Sequence, residues 1–225
     1  MNTNEAWQLV GGLSKPSKMP GWAYGLPAPE CKTGSILRNV ENSTCSGCYA
    51  MKGCYAFPIV QAAQYKRLKS IRSRLWVKAM TTLINSKKSK FFRWHDSGDV
   101  QDLKHLAKIF EVCRRTPNTI HWMPTREAWT KKYIDRAPKN LIIRFSMPMI
   151  DQEAAGSWVH TSTVSSKNKA TNCPAFRTDK TGKVHTLKTY NSFSKEDKKK
   201  LDLGHCGTCR KCWNFNTKNI TYGVH

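Results

Sequence analysis

Hydrophobic residues recur every three or four positions between residues 58 and 86, with lysines and arginines between them. This spacing predicts one amphipathic helix over 58–86 with a single basic face. The same period predicts a helix over 101–115, which ends before Pro117, and a short helix over 128–136.

Short runs rich in β-branched and aromatic residues alternate with these helices. They predict strands at 90–94, 119–123 and 141–146, and a weaker strand at 156–161. Strands separated by helices and short connections form βαβ units. We therefore expect an α/β fold with a mainly parallel sheet that forms a complete or partial TIM-like barrel.

The two ends of the chain lack this alternation. Prolines and glycines interrupt the first 45 residues, which predicts irregular structure there. Beyond about residue 165 the chain is polar and rich in lysine. We therefore expect a barrel-like α/β region over 1–165 and a cysteine-rich, irregular region over 166–225 that packs on the same domain.

The amino-acid composition gives the chain a strong positive charge. The 225 residues contain 38 Lys and Arg against 15 Asp and Glu, which gives a net charge of +23. Such a field attracts DNA or RNA, although a solvated basic surface would have the same composition. The chain has no apolar run long enough to span a bilayer and no signal-peptide pattern, so we expect a soluble, cytoplasmic protein without a membrane partner.

Four cysteines in the C-terminal region have the spacing of a metal site. Cys173 precedes a proline, and Cys206, Cys209 and Cys212 form a Cys-x2-Cys-x2-Cys triplet. Three thiolates at this spacing can bind three irons of one [4Fe–4S] cluster, which a remote fourth cysteine completes. Zinc is the alternative metal, although zinc ribbons usually have two Cys-x2-Cys pairs. Free thiols are the third interpretation.

Cys31, Cys45 and Cys48 form an earlier group, which Cys54 follows. Three ligands would leave one iron of a cluster open to a substrate or a chelating cofactor, whereas four ligands would close the site. The early cysteines could also be buried structural thiols or share one centre with the late ones. One cluster is therefore expected and two are allowed. Cys113, on the apolar side of a predicted helix, is interpreted as a core thiol.

Polar residues follow the predicted strands. The candidate cofactor-binding residues are His95, Asp96, Ser97 and Asp99 after one strand, and Arg126 and Glu127 after the next. In barrel enzymes the chemistry lies at the carboxyl ends of the strands, which favours a site here. Solvated turns have a similar composition, so this pattern alone does not decide between the two interpretations.

Several runs of the sequence are similar to those of a known family. They are 17–21, 26–28, 31–34, 45–50, 52–53, 92–100, 124–127, 173–175 and 206–213. Over nearly the whole chain they resemble the phage-encoded gene product 88 family. The resemblance implies a bacteriophage protein of the host cell cytoplasm, with iron–sulfur ligands at the seven cysteines of the two groups and a layout similar to radical-SAM barrels.

The chain departs from radical-SAM enzymes at the early cysteines. Those enzymes have Cys-x3-Cys-x2-Cys after their first strand, whereas 13 and then 2 residues separate Cys31, Cys45 and Cys48 here. The turn at 95–99 lies where such enzymes bind the amino group of SAM, but its residues differ. The leading hypothesis is a [4Fe–4S] protein with a radical-SAM-like activity and SAM as a cofactor. The alternative is a basic nucleic-acid-binding protein whose cluster, or zinc, is structural.

Overall fold

The computed structural model describes residues 1–224 and contains one six-stranded sheet. Its strands are β1 (Trp22–Tyr24), β2 (Phe91–Trp94), β3 (Ile120–Thr125), β4 (Leu141–Ile150), β5 (Thr161–Ser165) and β6 (Asn219–Gly223). Neighbouring strands are all parallel and their order follows the chain. The expected parallel α/β fold is confirmed. The complete barrel is not, because β1 and β6 are the two edges of an open sheet in the described residues.

Seven α-helices accompany the sheet in the described residues. They are α1 (Thr3–Val10), α2 (Lys32–Leu37), α3 (Pro58–Ser70), α4 (Trp76–Ser86), α5 (Leu103–Arg114), α6 (Leu187–Ser192) and α7 (Lys195–Lys200). Residues 128–136 form a 3-10 helix. No helix among residues 1–224 has the length and apolar character needed to cross a membrane.

The single helix predicted over 58–86 is wrong, because the chain breaks between α3 and α4. At the break the Ser73 hydroxyl accepts a hydrogen bond from the amide of Leu75 (3.2 Å), and Lys108 of α5 donates to the Ser73 carbonyl (2.8 Å). These bonds satisfy backbone groups that a continuous helix would pair internally. The predicted basic face is interrupted too, since Arg67 is buried and donates to the carbonyls of Gly11 and Gly25.

The main core lies between one face of the sheet and helices α1, α4 and α5. Alternate side chains of β2 point into it, and the Trp94 ring packs against those of Phe92 (4.9 Å between centroids) and Trp76 of α4 (6.0 Å). Cys113 of α5 is fully buried in this core, as expected.

The opposite face of the sheet is covered by the C-terminal segment. Trp213 packs its ring against Phe91 of β2 (5.3 Å) and Trp122 of β3 (5.2 Å), and its indole N–H donates to the Phe92 carbonyl (2.9 Å). The segment then enters the sheet as β6. The region beyond residue 165 is therefore not irregular throughout, since it supplies α6, α7 and an edge strand.

The first 45 residues contain no long helix or strand, as their prolines and glycines predict, but they do contain short regular elements. Helix α1 begins with a capping box in which Asn2 and Glu5 bond each other's backbone amides. Strand β1 has three residues and α2 has six, too few for a period to be visible in the sequence. The weak strand predicted at 156–161 lies too early, since β5 begins at Thr161.

Candidate functional site: two cysteine groups

The structure brings Cys31, Cys45 and Cys48 together at the carboxyl edge of the sheet. Burial raises the pKa of the Cys31 thiol, and nearby Asp99, Cys48 and Cys45 raise it further. A Cβ atom placed on Gly34 would lie 3.6 Å from the sulfur of Cys31 and 3.7 Å from that of Cys45. These three thiols are the early group.

Backbone pairing with β4 holds the early group at this edge. The amide of Thr44 donates to the Pro148 carbonyl (2.8 Å), and the amide of Ile150 donates to the Asn42 carbonyl (2.9 Å). A single antiparallel bridge joins Ser43 to Met149 between them. The loop that contains Cys45 is therefore attached to the end of a central strand.

Asp99 and Arg126 connect the ends of β2 and β3 beneath the early group. The buried Asp99 carboxylate accepts hydrogen bonds from the Thr125 hydroxyl (2.8 Å) and from the amides of Arg126 (2.8 Å) and Val100 (2.7 Å). Burial raises its pKa to about 7, against the effect of these bonds. Burial also raises the pKa of Cys45, and the Arg126 guanidinium opposes that rise.

Glu127 attaches α2, and with it Cys31, to the end of β3. Its carboxylate accepts hydrogen bonds from the amide of Thr33 and the indole N–H of Trp129, each at 3.0 Å. Cys31 is the residue immediately before α2. A strand end thus orients the first turn of the helix that follows this cysteine.

The three residues at the start of the turn after β2 point in different directions. Ser97 is part of the scaffold, since its hydroxyl donates to the Leu26 carbonyl and accepts from Gln64. One carboxylate oxygen of Asp96 accepts a hydrogen bond from the Tyr55 hydroxyl (3.3 Å). The other carboxylate oxygen is buried and has no hydrogen-bond partner in residues 1–224. His95, with φ of +58°, packs against His105 of α5 on the helix side.

Cys173, Cys206, Cys209 and Cys212 come together at a second place, and they are the late group. Burial raises the pKa of Cys173 to about 12, and Cys212, Cys209 and Cys206 contribute to the rise. Burial raises the pKa of Cys206 to about 11, with contributions from Cys212 and Cys209. The remote Cys173 and the cysteine triplet thus lie close enough to influence one another electrostatically.

Strand β6 and the N-terminal segment fix the late group from two sides. The amide of Cys173 donates to the Thr221 carbonyl (3.1 Å), and the Cys212 sulfur lies 3.3 Å from the Tyr222 hydroxyl. The amide of Cys206 donates to the Lys18 carbonyl (2.8 Å). Contacts with β6 and with the N-terminal segment therefore position these cysteines.

Arg93 and Arg144 supply positive charge to the late group, although the sequence analysis did not single them out. Both lower the pKa of Cys212, which burial raises. The sequence carries a signal for them, because Arg93 lies between Phe92 and Trp94 in a strand, and Arg144 has the same kind of position in β4. A charge inside a strand that packs on both faces needs a partner.

The donor chemistry of both groups fits an iron–sulfur cluster. All nine cysteines are free thiols, and soft thiolates are the ligands that such clusters and zinc require. No set of three or more His, Cys, Asp or Glu in residues 1–224 is arranged to hold a single metal ion. A cubane is larger than one ion, so its ligands stand farther apart. Cys54 is exposed on the 3-10 helix Gly53–Ala56.

Comparison with known proteins identifies one relationship. No curated protein and no solved structure matches the chain. The sequence profile of a phage-type family, gene product 88, matches residues 2–215 and so includes both cysteine groups. The chain belongs to the gene product 88 family.

Proposed function

We propose that this protein binds a [4Fe–4S] cluster through the late group and a second one through the early group. The observation that carries the proposal is the gathering of Cys173, Cys206, Cys209 and Cys212 at one place. Three of them lie in one short run of the sequence, and the fold brings Cys173 to that run through contacts with β6. Four converging thiols complete the ligand set of a cubane.

The charges around the late group support a bound metal cluster over free thiols. Burial opposes ionisation of these thiols, yet two guanidinium groups, those of Arg93 and Arg144, lie close to Cys212. A buried positive charge is costly unless a negative group compensates it. Arg144 donates to three backbone carbonyls and Asp96 lies near Arg93, and thiolates that ligate iron would add negative charge beside both guanidinium groups.

The early group supports an enzymatic role, since Cys31, Cys45 and Cys48 provide three ligands where a closed cluster needs four. When bound there, a cluster would offer one iron to a chelating small molecule, for which we propose SAM. Asp99, Arg126 and Glu127 border this place from the strand ends. Arg126, which lies beside Cys45, is the group that would orient the polar part of such a molecule.

Iron and sulfide analysis of matched variants tests this proposal. After anaerobic reconstitution, we expect Cys209→Ser to lose the late cluster and Cys45→Ser to lose the early one, each keeping about half of the iron. Cys54→Ser and Cys113→Ser are controls that should keep all of it. Full iron content in Cys209→Ser, or zinc without sulfide in the wild type, would contradict the proposal.

The early cluster has its own test, which separates an enzyme from a structural protein. Reduced, reconstituted protein is mixed with SAM, and the electron paramagnetic resonance spectrum and the release of 5′-deoxyadenosine are measured. We expect the spectrum of the wild type to change on addition of SAM and that of Cys45→Ser to stay constant. An unchanged wild-type spectrum without product would refute the enzymatic role and leave the clusters structural.

A second candidate function, nucleic-acid binding, is favoured by the charge of +23. Residues 166–225 alone contain 13 Lys and Arg against four Asp and Glu. If this protein binds DNA or RNA, its affinity must fall steeply as salt is added, because each neutralised phosphate releases counterions. Binding that does not change between low and moderate salt would rule out this electrostatic mode.

A further inference from the structure

A solvent-open cleft of about 360 Å³ lies beside the late group. The N-terminal segment contributes Lys18 to its wall, the turn after Asp179 contributes Lys180, and the cysteine triplet contributes Cys206 and Arg210. Its volume is within the range of small-molecule sites in proteins, which is roughly 300–1,000 Å³. Neither proposed cluster occupies this cleft.

The cleft has an excess of positive charge. Lys18 forms an ion pair with Asp202 (2.7 Å), so its charge is compensated. The Arg210 guanidinium donates to the carbonyls of Gly207 (2.6 Å) and Cys209 (2.7 Å), which orient it without neutralising it. Lys180 is exposed, and its ammonium group has no hydrogen bond or ion pair within residues 1–224. Two cations in the wall therefore lack a counter-ion.

Two glycines that line the cleft pack against each other. Gly182 and Gly207 both line it and have positive φ angles, +88° and +50°. A Cβ atom on Gly207 would lie 3.0 Å from both the Gly182 carbonyl oxygen and a methyl group of Thr178. Only glycine fits this left-handed, tightly packed position, which holds the cysteine triplet against the turn that contains Lys180.

We propose that this cleft binds a phosphate group. A lysine without a counter-ion that shares a concave cleft with a guanidinium group is a combination that binds phosphate in proteins. The phosphate belongs either to a free nucleotide or to the backbone of a nucleic-acid strand, and the recognition chemistry is the same. A phosphate held here lies beside Cys206 of the late group. The inference itself does not require a cluster.

Titration of the full-length, reconstituted protein with three probes tests the inference. The probes are pyrophosphate, ATP and a single-stranded oligothymidine, with binding measured by calorimetry at low salt. We expect Lys180→Glu to weaken binding at least about tenfold, since it removes one charge-assisted contact and adds a repulsive charge. Lys104→Glu is the matched control, because Lys104 is equally exposed on α5, which packs on the other face of the sheet.

Each result either supports or contradicts the proposed phosphate site. Saturable binding of pyrophosphate or ATP identifies a free nucleotide as the source of the phosphate, and binding of the oligothymidine alone identifies a strand. Equal losses in Lys180→Glu and Lys104→Glu, or no binding of any probe, would overturn the inference. Iron is counted in the same samples, so a missing cluster is distinguished from a missing phosphate site.

Discussion

Replacement of Trp213 by alanine should detach the C-terminal segment from the sheet. The Trp213 side chain is only 3% exposed and packs between Phe91 and Trp122. Removing a buried tryptophan side chain costs about 3–5 kcal/mol, and the lost bond to the Phe92 carbonyl accounts for about 1 kcal/mol of this. A domain of this size is stable by only about 5–15 kcal/mol, so the loss is large.

Urea denaturation followed by circular dichroism measures this loss. Trp213→Phe keeps a ring but no indole N–H, so we expect an intermediate loss of about 1–2 kcal/mol. Trp7→Ala is the matched control, since Trp7 is 37% exposed and should cost less than Trp213→Ala. Limited proteolysis should cleave Trp213→Ala first between residues 166 and 218. An unfolding free energy within about 1 kcal/mol of the wild type, with no new cleavage, would refute this account of the packing.

Three further changes test other parts of the structure. Burial lowers the pKa of His121 to about 3, so the unfolded chain binds a proton that the folded chain does not, and this residue should lower stability by up to about 1.4 kcal/mol per pH unit from pH 6.5 towards pH 3; His121→Gln should reduce the pH dependence by that amount in urea titrations at each pH, while the buried His95 and His105 keep a slope of the same sign. Gly98→Ala should destabilise by about 2 kcal/mol or more, because φ is +74° and the new Cβ would lie 2.6 Å from that of Leu26; an unchanged melting temperature would contradict it. If the late group holds a cluster, Tyr222→Phe should lower the reduction potential measured by voltammetry, since the hydroxyl 3.3 Å from the Cys212 sulfur is lost.

The central strands and one helix could be predicted because their signals are local. Strands β2, β3 and β4 and helix α5 each contain enough residues for their apolar pattern to be read directly. The spacing of the cysteines also indicated two groups, and the structure assembles both. The strands, the helix and the cysteine spacing depend on neighbouring residues, whereas the assembly of each cysteine group depends on contacts across the fold.

The remaining features depend on distant contacts, which a single sequence does not display. The break after α3 is stabilised by Lys108, and the burial of Arg67 depends on Gly11 and Gly25. Strand β6 follows a stretch of polar residues and forms an edge only because β5 is available to pair with it. Tertiary context overrides local propensity at each of these positions.

The sequential order of the strands has a consequence for synthesis of the chain. Each new strand pairs with the one made just before it, so the sheet can lengthen as translation proceeds. The contacts around the late cysteines form later in synthesis. Lys18 bonds to the Leu203 carbonyl and pairs with Asp202, which lie about 185 positions further along the chain. The N-terminal segment can make these contacts only after nearly the whole polypeptide has been synthesised. A chain that ends just before β6 would therefore carry a largely paired sheet, but its thiol site would lack the contacts that β6 makes with Cys173 and Cys212.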